Sequence, residues 1–372
     1  MVEIKKATTK RDLKLFEQVG EKIHKDDAYF VPPFPGSLVK LVSPTGPFSK
    51  NGDVVCFIAW KDGRPVGRIA AIENRAHNAY YKDRVGFFGF FDFINDEQVA
   101  RALYGAAREE LTRRKLTSIR GPYSPSVNDE CGLLTEGFDS SPMVLMPYNP
   151  PYYVEIYEKL GLSFARDLHA YYIPATTEAP TRILKICDRV KRTTGLTLRP
   201  FDKKHLERDL RIIHRLYNET LERNWGFVPI TWEEIHAAAK DLVAIIDPEL
   251  VMIAEKNGEA VGFSMVIPNI NEYMWRAKSS PQWLRVLRFV WWLKTSRPKE
   301  ARLSVLGVSE AFRNKGVGAL FYAETLLRGK RKFIGGELSW VEANNEEMIN
   351  GIAVMGAKKY KNYRIFESAL AH

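Results

Sequence analysis

A chain of 372 residues is longer than one hydrophobic core usually serves, so two domains are expected. Its 45% hydrophobic residues can fill packed cores and its 27% charged residues can cover them, the balance of a soluble globular protein. The longest purely apolar runs, such as Phe289 to Leu293, fall far short of the roughly 20 residues that cross a bilayer, so no transmembrane segment is expected.

The 55 basic residues outnumber the 45 acidic ones, giving a formal charge of +10 that attracts polyanions and phosphorylated small molecules without choosing among them. No zinc finger, basic zipper or aromatic RNP-like strand accompanies the charge, so no specific nucleic-acid partner is expected. The first residues, Met-Val-Glu-Ile-Lys-Lys, lack the apolar centre of a secretory signal, and a cytoplasmic location is expected. Cys56, Cys131 and Cys187 are far apart and odd in number, which argues against a disulfide framework, and each reads as a small buried hydrophobe before a nucleophile. His24, His77, His169, His205, His214 and His236 are scattered without ligand spacing, so no metal is expected.

Taken in chain order, the first strong signal is Phe57 to Ile72, where two apolar runs flank Asp62-Gly63. Asp-Gly accepts the positive φ angles of a tight turn, so the segment reads as a β-hairpin. The long polar stretch from Tyr123 to Pro150 then reads as a loop, its start Gly121 to Glu130 able to wall a substrate cleft or simply to hold a turn structure. Asn149-Pro150-Pro151-Tyr152-Tyr153 opens a helix that ends at Gly161, before a strand at Leu168 to Ile173.

Much of this returns later in the chain. Met252 to Ile267 carries the same hairpin pattern around Asn257-Gly258, and Ile352 to Lys358 ends a second helix at Gly356 before a strand at Tyr363 to Phe366. Ile58 and Ile253 stand 195 apart, and so do Gly161 and Gly356. One offset shared by separate signals indicates duplication. The division is expected as a first domain at 1–178, a linker helix region at 179–195 and a second domain at 196–372, with an insert in the second half at about Glu272 to Lys299.

That insert contains Pro281 to Lys299, with three tryptophans and five basic residues but no acid. It admits three readings: packing against the partner half, a lid over an apolar substrate, and a helix on a membrane surface. The strand Leu303 to Val308 follows, and after Ser309 the chain reads Arg313-Asn314-Lys315-Gly316-Val317-Gly318-Ala319 ahead of an apolar helix. Glycines without β-carbons at a helix N-terminus let free amides approach a phosphate, and Arg313 and Lys315 add positive charge there.

The run from Arg313 to Gly318 fits Q/R-x-x-G-x-G/A, the acyl-CoA-binding signature of the GNAT acyltransferase family, and the chain from Leu196 to the C-terminus resembles that family. Glu337 to Val341 resembles the family's next strand, and Asn345 stands at its frequent asparagine before the last helix. The first half resembles the fold through its hairpin and Tyr157 to Leu162, but Phe90 to Val99 holds no such signature. The resemblance implies an α/β protein of two tandem GNAT-like domains, each a mixed, mostly antiparallel sheet flanked by helices, with a degenerate first half.

It further implies an acyl-CoA-dependent N-acyltransferase, with acetyl the expected acyl group. Acetyl-CoA or another acyl-CoA is the co-substrate and a small-molecule or peptide amine the acceptor; a longer-chain transferase and a non-catalytic acyl-CoA-binding regulator are the alternatives. Leu306, Gly307, Val308, Arg313, Asn314, Lys315, Gly316, Val317, Gly318, Ala319 and Asn345 are the implied cofactor residues. Glu342 and Glu337 are candidate bases, and strict alternation would put them on opposite faces of their strand. The family's tyrosine acid is replaced by Ile352, leaving Tyr360, Tyr363 or solvent to protonate the thiolate, with Tyr363 the candidate side chain. Monomer and homodimer both remain open.

Overall fold

The computed structural model describes residues 1–370, the side chain of Asp241 excepted. The chain forms two compact units, and neither is one continuous stretch. The first comprises Met1–Leu168, Tyr273–Val290 and the chain from Lys361 onward; the second comprises His169–Glu272 and Trp291–Tyr360. Part of the insert and the end of the chain therefore group with the first unit, whereas local reading ran the second domain unbroken from 196. The cause is long-range pairing. Phe366 pairs with Gly121 and Arg364 with Leu133 in antiparallel ladders, while Tyr273, Met274 and Ala277 are buried.

In the first unit, Val2–Ala7, Gly52–Lys61, Arg64–Asn74, Val85–Phe93, Ser118–Gly121 and the C-terminal strand lie side by side. Every pair is antiparallel except Val85–Phe93 with Ser118–Gly121. The second unit repeats this plan. Its order runs from the end of Ser163–Pro174 through Gly335–Glu342, Glu300–Val308, Glu259–Pro268 and Val251–Lys256 to Thr197–Pro200, and a parallel ladder joins Glu300–Val308 to Gly335–Glu342. Each unit is thus a mixed, mostly antiparallel sheet with helices packed against it.

The duplication is visible in backbone detail. Asp62-Gly63 and Asn257-Gly258 all take positive φ, the left-handed pair that a two-residue turn between twisted strands requires. Both hairpins slip register just beyond their turns, at Ala59/Trp60 and at Ala254/Glu255, again 195 apart. Gly161 and Gly356 close their helices at φ 73° and 89°. The stretch expected as one loop after Tyr123 is partly strand: Tyr123–Ser124 pairs with Glu130–Cys131, and Leu133–Glu136 pairs with the C-terminal strand. A two-residue ribbon carries no periodicity for a sequence reading to detect.

Two cores clothe the second unit's sheet. Leu303, Leu338 and Val341 pack with the helices Thr181–Thr194 and Val317–Gly329 on one face; Ile253 and Phe263 pack with Leu206–Thr220 and Trp232–Leu242 on the other. Asp209 is buried on the latter side, held by Arg199 through two contacts of 2.7 and 2.9 Å, by Arg208 at 2.9 Å and by the Asp202 amide at 2.8 Å. Burial alone would raise its pKa, but these donors outweigh burial and hold it below the ordinary value.

A depressed folded-state pKa stabilises the protein fully above the unfolded value of about 3.9, and that stability drains as pH falls through the folded value. Urea unfolding of wild type should therefore lose stability between about pH 5 and about pH 2 more steeply than Asp209→Asn, which has no carboxylate to protonate. Parallel slopes would contradict the assignment.

Candidate functional site

The central strand Glu300–Val308 and its parallel neighbour Gly335–Glu342 are paired only from Glu300↔Gly335 to Leu303↔Leu338. Both continue past that ladder, so their ends part and leave an opening. A bulge helps produce it: the ladder to Glu259–Pro268 steps from Leu303 opposite Val266 to Val305 opposite Met265, leaving Ser304 as the extra residue. Leu306, Gly307 and Val308 remain paired on their other side to Ser264, Phe263 and Gly262. Alternate amides of this stretch therefore point at the opening.

Gly307 is required by packing. A β-carbon there would collide with the side chain of Thr220, at the end of the helix Leu206–Thr220. Ser309 and a short 3-10 turn at Glu310–Phe312 lead to Asn314, at φ 59°, and Gly316, at φ 79°, which caps the helix Val317–Gly329. Val190 crowds Gly316, 2.8 Å from where its β-carbon would lie, whereas a β-carbon on Gly318 would meet open space. The first intrahelical bond runs from the Leu320 amide to Gly316 O, so the amides of Val317, Gly318 and Ala319 precede it at the positive end of the helix.

The cations expected at this turn are present in two different roles. Arg313 donates to Val308 O at 3.3 Å and to Thr220 O at 3.0 Å, tying the turn to the strand and helix beside it. Lys315 and Lys256 both lie over the Phe312 ring, at 5.1 and 5.5 Å, and add positive charge beside the turn. Asn345 caps the helix Glu346–Val354 by accepting the Met348 amide at 3.1 Å.

The corresponding helix of the first unit, Glu97–Arg113, shows why that half lacks the motif. Asp96 caps it with its own carboxylate, accepting from the Gln98 and Val99 amides at 2.9 and 3.4 Å while Lys61 binds its second oxygen at 2.6 Å. An internal anion thus occupies the amides that the glycine turn leaves open in the second unit.

The two candidate bases lie in different surroundings. Glu337 is 1% exposed, on the paired part of its strand. It accepts from Ser339 Oγ and the Tyr360 hydroxyl, and Arg302 lies 3.7 Å away, itself donating to Ser339 Oγ at 2.7 Å and Ser339 O at 3.0 Å. Glu342 stands at the parted end, half-buried, and accepts the Trp225 amide at 2.8 Å.

The expectation that these carboxylates sit on opposite faces needs correcting. Leu338 and Val341 pack in the same core, so alternation breaks between them, and Glu337 and Glu342 both face away from it. Tyr363 is fully buried within the first unit, where its β-carbon approaches Gly132, rather than in the unit that carries the glycine turn. Ile352 is fully buried in the core beside the helix Val317–Gly329. Cys56 is also buried, which pushes its thiol up to about 12 and keeps it protonated and unreactive. Among the described residues no cluster of three or more His, Cys, Asp or Glu could hold a metal.

Sequence reading missed the Arg302–Glu337–Ser339–Tyr360 cluster and the Asp96 cap. Asp96 two residues before Gln98 carried a cap signal; the cluster had none, because only the strand register sets Arg302 opposite Glu337.

Comparison with known proteins places this geometry. The chain is 32% identical to Protein YghO of Escherichia coli (strain K12) over 368 residues, 97% of this chain and 94% of that protein. It is 33% identical to the Bacterial ceramide synthase of Caulobacter vibrioides (strain NA1000 / CB15N) over 371 residues, 97% and 96% of the two. A solved tandem GNAT protein from the clavulanic acid biosynthesis pathway matches with a TM-score of 0.60 at 12% identity, covering 100% of this chain and 99% of that one. The chain belongs to the family of YghO and the bacterial ceramide synthase, and its fold is tandem GNAT. No protein-family model matches it. Within this tandem GNAT protein, the parted strands and the glycine-capped helix both belong to the second unit.

Proposed function

We propose that this chain is an acyl-CoA-dependent N-acyltransferase whose donor is a long-chain acyl-CoA and whose acceptor is a lipid amine. The observation that carries the transfer reaction is the parting of Glu300–Val308 from Gly335–Glu342 directly ahead of the open amides at Val317, Gly318 and Ala319. A diphosphate held on those amides directs the pantetheine arm into the opening, where strand amides at Leu306 to Val308 polarise the thioester carbonyl. The long-chain preference over the acetyl donor rests on the relative named a ceramide synthase, since ceramide is the amide of a long-chain amino alcohol and a fatty acid.

In the proposed step the amine nitrogen attacks the thioester carbon, the C–N bond forms, and the C–S bond breaks to release thiolate. Glu342 takes the proton from the amine, directly or through water, because it stands at the opening, whereas Glu337 is sequestered by its neighbours. Ile352 offers no proton, so solvent protonates the thiolate. Glu342→Gln retains an oxygen for the Trp225 amide. It should leave the thermal midpoint unchanged and lower kcat about a hundredfold.

The function is tested by following free thiol while fatty acyl-CoAs and acetyl-CoA are offered with long-chain amino alcohols and small amines. Thiol release with the long-chain pair and little with acetyl-CoA supports the reading. CoA binding without thiol release from any pair contradicts it.

A further inference from the structure

The helix Gln282–Thr295 has an inner and an outer side. Inward, Arg285 is buried and pairs with Glu21 at 2.8 Å, and the Phe289 ring meets Phe34 and Tyr273 at centroid distances of 5.3 and 6.1 Å. Outward, Trp283, Leu287, Val290 and Trp291 are 67%, 58%, 43% and 60% exposed. At roughly 100° per residue these four fall within an arc of about 100°, a continuous apolar stripe. The charges of its own segment have one sign: Arg288, Lys294, Arg297 and Lys299 are exposed and no acidic residue occurs from Pro281 to Lys299, with Asp247 4.0 Å from Arg297 the acid beside it.

We propose that this helix docks the protein onto an anionic lipid bilayer, lying flat with the tryptophan stripe among the acyl boundary and the cations against phosphate headgroups. Tryptophan favours that boundary, where its ring is shielded and its indole N–H still finds water or headgroup oxygen. A 14-residue helix is about 21 Å long, too short to cross a hydrocarbon core of about 30 Å, so it rests on the surface. Charge selects the occupant. A second copy related by two-fold symmetry would set this cationic border against itself, whereas an anionic headgroup layer complements it. The proposal stands on the exposed face and not on the transfer reaction.

The test is co-sedimentation of the full chain with vesicles of equimolar phosphatidylglycerol and phosphatidylcholine, compared with phosphatidylcholine alone. Wild type should partition onto the anionic vesicles at least about tenfold more strongly, and W283S/L287S/W291S should lose at least about tenfold of that binding. All three positions are exposed, so the variant should keep the wild-type circular dichroism and thermal midpoint. K294E/R297E, which leaves the apolar stripe intact, should lose the preference for anionic vesicles. Wild type that stays in the supernatant, or a serine variant that sediments equally, overturns the proposal. So does light scattering that shows the serine changes dissociating an oligomer, because the stripe would then be a self-association surface. Thiol release measured without vesicles is read separately and distinguishes failed docking from failed transfer.

Discussion

Gly318→Asp should abolish acyl-CoA binding without weakening the fold. A side chain on Gly318 meets open space, and an acidic residue in the first turn of the helix Val317–Gly329 stabilises it by about 0.3–1 kcal/mol. The same carboxylate would stand where the proposal seats a diphosphate. At roughly 4 Å and an effective dielectric constant near 20, unit like charges repel by about 4 kcal/mol, or about a thousandfold in affinity. The first unit already contains a natural version of this change, since Asp96 fills the equivalent helix end with its own carboxylate. Calorimetric titration with CoA, paired with a melting curve, checks both halves of the expectation. Gly318→Ala serves as the control and should bind as wild type does; a Gly318→Asp protein that still binds CoA would remove the diphosphate from this turn.

Arg302→Met should destabilise the second unit by about 3–5 kcal/mol, because it leaves Glu337 buried without its neighbouring guanidinium. Arg302 also satisfies Ser339 through both Oγ and the carbonyl, so the loss extends beyond one ion pair. Combining Arg302→Met with Glu337→Gln should recover part of the loss, since the uncompensated charge is then gone. Urea unfolding measures each variant. A cost of under about 1 kcal/mol for Arg302→Met would mean that Glu337 is not held as a buried anion.

What could be read from the sequence was local. Asp62-Gly63 and Asn257-Gly258 announce their turns because few dipeptides tolerate two positive φ angles, and Gly316 and Gly318 announce a tight approach to a helix start, open at Gly318. What escaped depends on pairing between distant segments. The strand Lys358–Ala369 carries apolar residues that suit either unit, and only its ladders with Ser118–Gly121 and Leu133–Glu136 assign its end to the first. Glu337 looks like any strand-end carboxylate until Arg302 is placed opposite it by the parallel register. The shared face of Glu337 and Glu342 was hidden for a related reason, as alternation assumes a regular strand and this one is irregular past Leu338.

Amide hydrogen exchange of the full chain with and without a fatty acyl-CoA compares the two helix ends within one molecule. Added protection is expected at Val317, Gly318 and Ala319 and at Leu306 to Val308, with Gln98 and Val99 unchanged. Protection gained at Gln98 and Val99 instead, or none around Gly318 at saturating ligand, would contradict that expectation.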